Sequence, residues 1–269
     1  MLSIYKDKSA KLFIAISAFF VSNALIAECI GSKIFSLEKL FGLTPASLTL
    51  FGQSGLSFNL TCGVLLWPLE FIITDIVNEY YGVRAVRRIS YTAVILIGYA
   101  FLMFYLSIHL PAADFWIPSK KDSGIPDMQT AYNVIFGQGL WIILGSLTAF
   151  LVSQVIDVTV FHRIKRITGH KHVWLRATGS TLISQLIDSF IVLIIAFKFG
   201  STWTWAQVIA VGLLNYSYKS LVAIVLTPVI YFAEGRIDKY LGKEVAEQMK
   251  RDAMTTGSND IVSDIPAAG

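Results

Sequence analysis

The stretch from Ala177 to Phe199 reads ATGSTLISQLIDSFIVLIIAFKF. It is as long as the roughly 20 residues an α-helix needs to cross a bilayer core, and it does not alternate as a barrel strand would. Gln185 and Asp188 nevertheless sit near its centre, at i and i+3, on one helical face. An ionisable group at the middle of a membrane helix costs about 2.5–3.5 kcal/mol on insertion scales, which makes a ligand or ion site its default reading. The same Gln-x-x-Asp spacing occurs 31 positions earlier as Gln154 and Asp157, again beside long apolar runs.

Outward from this stretch, further apolar segments fall at about 11–31, 56–80, 89–110, 131–161 and 205–233, for six spans in all. The expected fold class is an all-α integral membrane protein. Only 15% of the residues are charged, against about 25% in soluble domains, and the mean hydropathy is +0.63. Residues 1–234 read as one transmembrane domain. Residues 235–269 read as a polar cytoplasmic tail, a short helix followed by disorder.

Sixteen lysines and arginines fall on one side of these spans and five on the other, with Lys219 inside the sixth. The rich side holds Lys6, Lys8 and Lys11, then Arg84 to Arg88, Arg163 to Arg176 with Lys171 among them, and Arg236 to Arg251. Cytoplasmic loops carry that excess, so both termini are expected in the cytoplasm. The pI near 9.0 follows from this bias and implies no nucleic-acid partner. The basic, apolar N-terminus lacks a small-residue cleavage site and reads as an uncleaved first helix. Cys29 and Cys62, near outer helix ends, read as inert thiols, with a disulfide as the alternative.

The second span carries Asp75, Asn78 and Glu79 at i, i+3 and i+4, a single polar stripe. It serves either a ligand or a hydrogen-bonded helix neighbour. In the fourth span Gln154 and Asp157 share a face, and Asp157 is close enough to Arg163 for an ion pair with the basic loop. Asp188 lies near the midplane, far from that loop. A midspan Lys219 requires a carboxylate partner or a lowered pKa. Asn23, a lone amide in the first span, suits an interhelical hydrogen bond. Trp67 and Trp141 lie deeper than the interfacial Trp116, Trp174, Trp203 and Trp205. They pack in the core or stack on a planar ligand. Four interior carboxylates against one interior lysine cannot all be ionised cheaply, which points to held protons or an entering cation.

No G-x-x-x-x-G-K-[ST] loop is present, and no H-E-x-x-H or Cys/His cluster, so no cofactor or metal is expected. Gly52-Gln53-Ser54-Gly55 has the look of a serine nucleophile motif. It has no mid-membrane histidine as a base: His109 is at a helix end and His162, His170 and His172 are cytoplasmic. An enzyme is therefore not expected.

Several short strings, taken in order, carry a family resemblance. They are Ser22-Asn23; Pro68 with Thr74-Asp75, continuing to Gly82 and Ala85-Val86-Arg87-Arg88; Gln154-Val155-Ile156-Asp157-Val158 with Val160-Phe161; Ser180-Thr181 with Asp188; and Tyr216 with Lys219 and Pro228. The chain resembles the bacterial queuosine precursor transporters, within the wider vitamin-uptake group, from about residue 11 to 234. The resemblance implies six helices in a fold like the substrate-binding subunits of energy-coupling-factor importers. It implies import of a 7-deazaguanine, such as preQ0 or preQ1, across the bacterial cytoplasmic membrane. The expected mechanism is secondary transport, either facilitated or coupled to protons; the alternative is a binding subunit, or a carrier of another nucleobase-like vitamin, that depends on a separate energising complex. The expected substrate-binding residues are Asn23, Trp67, Asp75, Asn78, Glu79, Gln154, Asp157, Gln185, Asp188 and Lys219. Chemistry agrees: a carboxylate accepts the paired ring N–H and exocyclic NH₂ of a guanine-like edge, amides serve the opposite edge, and aromatic rings cover the faces. Besides substrate and lipid, a second copy of the chain is an open partner.

Overall fold

The computed structural model describes residues 7–137, 139–168 and 173–263. Lys6 and Lys171 of the charge count, His170 and His172, and part of the tail expected over 235–269 lie outside those residues. Eight α-helices occur among the described residues: α1 (Lys8–Ile30), α2 (Leu37–Leu40), α3 (Trp67–Ile108), α4 (Met128–Phe136), α5 (Leu140–Thr168), α6 (Val173–Leu193), α7 (Trp205–Leu241) and α8 (Lys243–Ser263). A π-helical segment, Ile194–Phe199, continues α6.

Five helical stretches among the described residues are long and apolar enough to cross a membrane: Lys8–Ile30, Trp67–Ile108, Met128–Thr168, Trp174–Phe199 and Trp205–Leu241. Their apolar side chains are largely exposed, as for Ile14, Ile95 and Val225. That surface suits lipid rather than water. The second stretch is 42 residues long. As a straight rod it would measure about 63 Å at 1.5 Å per residue, about twice the hydrocarbon core. It is broken at Gly82, whose φ of 77° and ψ of 178° lie outside the helical region and favour a residue without Cβ. A Cβ there would also sit 3.3 Å from the carbonyl oxygen of Ala253 in α8.

The second apolar segment, expected from residue 56, becomes α-helical only at Trp67, after a short 3-10 turn at Cys62–Leu65. Pro68 explains the start: proline lacks an N–H and fits the first helical turn. The residues before it build a small β layer. Strands β1 (Ile34–Ser36) and β4 (Asn59–Thr61) pair antiparallel, as do β2 (Leu48–Leu50) and β3 (Gln53–Leu56). Phe51 and Gly52 join the latter pair, both with positive φ (50° and 76°), as a tight hairpin turn demands. Glu38 holds the layer together by accepting from the Phe58 N–H at 2.8 Å, the Ser36 hydroxyl at 3.0 Å and the Ala46 N–H at 3.4 Å.

Two apolar clusters form the interior. One gathers Phe20, Val77, Ile97 and Phe150 from α1, α3 and α5. The other gathers Ile76, Tyr80, Phe161 and Ile237 from α3, α5 and α7, with Ala246 from α8. α5 approaches the π segment closely at Gly145, where a Cβ would stand 3.2 Å from the Val192 carbonyl oxygen and 3.3 Å from the Ala196 methyl. The helix in the C-terminal tail is docked on the bundle: Lys250 pairs with Asp238 at 3.1 Å and lies over the Tyr80 ring at 4.8 Å. Cys29 and Cys62 are free thiols, half-buried.

Candidate functional site

The first half of α3 runs parallel to α5. Trp67 and Phe150 have ring centroids 5.5 Å apart, Thr74 donates to Gln154 Oε1 at 3.2 Å, and Glu79 meets Lys165 at 2.9 Å, so residue numbers rise together. α6 and α7 are antiparallel: Asp188 meets Lys219 at 2.5 Å and the hydroxyls of Thr178 and Thr227 lie 2.8 Å apart. Between α3, α6 and α7 lies a partly open cavity.

Most of the wall is apolar, and the polar groups are few. α3 contributes Trp67 and Asp75; α6 contributes Thr178, Thr181 and Gln185; α7 contributes Tyr218 and Lys219. Asp75 Oδ1 and Gln185 Oε1 are buried without a hydrogen-bond partner. Buried polar atoms are ordinarily satisfied, so two orphan acceptors on residues of one cavity wall stand out.

Of the ten residues expected from the sequence, the cavity wall brings together Trp67, Asp75, Gln185 and Lys219. Asp188 lies behind Lys219 as its ion-pair partner, both side chains about one-fifth exposed. The others lie off the wall. Gln154 accepts from Thr74, and its Nε2 is unpartnered. Asp157 is fully buried and accepts from Ser184 at 3.1 Å. The anticipated Arg163 ion pair is replaced by this hydroxyl contact, because Asp157 faces α6. Asn78 is buried with both amide atoms unpartnered.

Asn23 donates to Glu70 Oε1 at 2.8 Å and to the Leu66 carbonyl at 3.1 Å, the interhelical use expected of a lone amide. Glu79 is clasped by two cations, Lys165 and Arg176, each at 2.9 Å, and all three side chains are almost completely buried. The charge count read from the sequence, with Lys219 the only interior cation, is corrected by this cluster. Lys165 and Arg176 had been assigned to the cytoplasmic loop, but their helices carry them inward onto Glu79. Trp141, a second candidate for stacking, is about half exposed and away from the cavity.

Thr178, Thr181 and Tyr218 were missed. The first two stand at i and i+3, and with Gln185 they complete one face of α6. That stripe was visible in the sequence, but hydroxyls are common in membrane helices and stand out only beside a carboxyl. Among the described residues, no group of three or more metal-ligating side chains occurs.

Residues 61–233 match a family described as "Putative vitamin uptake transporter". The chain is 30% identical over 220 residues to the "Probable queuosine precursor transporter" of Bacillus subtilis (strain 168), covering 81% of this chain and 84% of that one. It is 26% identical over 221 residues to the "Queuosine precursor transporter" of Escherichia coli (strain K12), covering 81% and 91%. It is 25% identical over 201 residues to the "Probable queuosine precursor transporter" of Haemophilus influenzae, covering 73% and 77%. No solved structure matches the chain.

Proposed function

The chain belongs to this vitamin uptake transporter family, and we propose that it imports a queuosine precursor, a 7-deazaguanine, across the bacterial cytoplasmic membrane. The single observation that carries this reading is the cavity between α3, α6 and α7, with its unpartnered acceptors Asp75 Oδ1 and Gln185 Oε1. Relatives named for the same cargo support it.

In this reading Asp75 accepts the ring N–H and exocyclic amine of the base edge. Gln185 and Thr181 meet the remaining edge, Trp67 covers one face, and Lys219, oriented by Asp188, serves the carbonyl. The apolar remainder of the wall excludes water, which strengthens each polar contact. Asn78, Gln154 and Asp157 form the layer behind Asp75, and their unpartnered atoms admit water or the guest as the cavity changes shape.

The break at Gly82 divides α3 into two crossings, giving six in total, with both termini in the cytoplasm as the lysine and arginine bias requires. The transporter works by alternating access and needs no ATPase of its own; no side chains assemble a catalytic centre in this reading. The test is a thermal-shift panel with the purified protein: preQ0, preQ1, guanine, queuine and unrelated vitamins. A folded-state ligand raises the midpoint. Stabilisation by deazaguanines alone, followed by uptake into liposomes holding only this protein, is expected. No shift with any deazaguanine would remove the assignment.

A further inference from the structure

Glu70 is completely buried on α3, and the cavity wall does not include it. The wall residues Trp67, Pro68, Phe71, Ile72 and Asp75 flank it in sequence, while Glu70 itself turns toward α1. Its Oε1 accepts from Asn23 Nδ2 at 2.8 Å, and its Oε2 has no partner. The same Nδ2 reaches the Leu66 carbonyl at 3.1 Å, the residue that caps the start of α3. One amide on α1 therefore holds both the carboxyl and the helix end beside Trp67 and Pro68.

A completely buried ionised carboxylate with one neutral donor is expensive to keep. A neighbouring cation is the usual remedy, and among the described residues no ion pair reaches Glu70. Four cations on the elements packed against α3 are spent elsewhere: Lys165 and Arg176 on Glu79, Lys219 on Asp188, Lys250 on Asp238. Lys8 and Lys11 of α1, Arg163 and Arg166 of α5, Arg236 and Lys239 of α7, and Lys243 and Arg251 of α8 make no ion pair with Glu70. The remaining titratable groups there add no positive charge near it. Glu28 of α1 takes the Ser146 hydroxyl, Asp157 of α5 takes that of Ser184, and Glu234 of α7 is a further acid. Cys29, Cys62 and His162 are further titratable groups, and the ring nitrogens of His162 have no side-chain partner. Asp75 and Glu79 lie on Glu70's own helix.

We propose that Glu70 is the proton-carrying carboxyl of the transport cycle. It binds one proton on Oε2 from the outside and releases it to the inside, and the carboxylate is restored with each turn. This rests on the reading of the chain as a secondary carrier. Protonation converts the charge-assisted Asn23 bond to a neutral one, about half as strong. The hold of α1 on the start of α3 then loosens at Leu66, so the proton is felt at the cavity wall without touching the cargo.

The test uses purified protein, first with preQ0 and preQ1 in a thermal-shift assay, then in liposomes with an imposed pH gradient. Absence of any ligand shift in the wild type would defeat the cargo reading rather than this one. With binding established, an acid exterior should raise wild-type initial uptake several-fold, and a protonophore should abolish the rise. Glu70→Gln should keep the ligand shift and the exchange of labelled cargo but lose the gradient response, and Glu70→Asp should keep the response. Asn23→Ala covers the event that Glu70→Gln fails to fold. It removes the donor that favours the ionised form, so the pH profile of uptake should move up by about one unit. Wild-type uptake indifferent to the gradient, a Glu70→Gln response equal to wild type, or an unmoved Asn23→Ala profile would each overturn the proposal.

Discussion

Lys219 Nζ lies 2.5 Å from Asp188 Oδ2, joining α7 to α6 at the edge of the cavity. The pair is partly exposed, so removing one partner costs less than the roughly 3–5 kcal/mol of a fully buried pair. Asp188→Asn should lower the unfolding midpoint of detergent-purified protein modestly. Adding Lys219→Gln should restore the midpoint without restoring uptake, because the orienting charge and the ligand contact are both gone. A double variant that transports like wild type would separate this pair from the cargo.

Glu79 presents the stronger case for stability. Its clasp by Lys165 and Arg176 is sealed from solvent. Glu79→Gln leaves two buried cations short of a counter-charge, a loss of about 3–5 kcal/mol. The expected result is a sharply reduced folded yield on size-exclusion chromatography. Any folded fraction should bind deazaguanines normally, since this cluster lies off the cavity wall.

Asp75→Asn should behave in the opposite way. Asp75 Oδ1 has no partner in the unliganded protein, so the substitution leaves thermal stability unchanged or higher. Hydrogen bonds to a charged group contribute about 1.5–3 kcal/mol, which corresponds to about a 10- to 150-fold weaker Kd. Isothermal titration with preQ1 measures it, and a near-wild-type Kd would remove Asp75 from the site.

The β layer should be acid-sensitive. The Phe58 N–H, with the Ser36 hydroxyl and Ala46 N–H, holds the Glu38 carboxyl below its usual value of 4.5. A depressed folded value means that its contribution is complete above about pH 4.5 and is lost as pH falls through the lower, folded value. Amide exchange at Phe58, corrected for intrinsic rates, should therefore speed up below that range. In Glu38→Gln the acid-induced increase should vanish, and its persistence would assign the effect to another group.

What the sequence made legible was set by the length scale of each signal. Long apolar runs mark the spans because the bilayer demands about 20 residues of one character. The start of α3 at Trp67 was hidden because residues 56–66 are nearly as apolar as the helix, and only Pro68 marks the boundary. Gly82 stood within the string that carries the family resemblance, and its positive φ emerges with the break in α3. Asp75, Gln185 and Lys219 could be picked out singly as polar groups in apolar surroundings. Their meeting on one cavity depends on how α3, α6 and α7 face one another, which no local pattern encodes. Lys165 and Arg176 were misplaced for a related reason. A charge near a span's end looks solvated until a partner such as Glu79 is known to draw it inward.

The docking of α8 bears on how the protein is made. Ala253 rests against Gly82, and Lys250 ties Asp238 beneath Tyr80, so α8 covers the break in α3 and the end of α7. Synthesis proceeds from the N-terminus, and α8 leaves the ribosome after every helix on which it packs. The inserted bundle must therefore stand on its own packing during elongation. A messenger truncated ahead of Lys243 would yield a chain that spans the bilayer yet leaves this corner permanently unshielded, a mark that surveillance proteases can read.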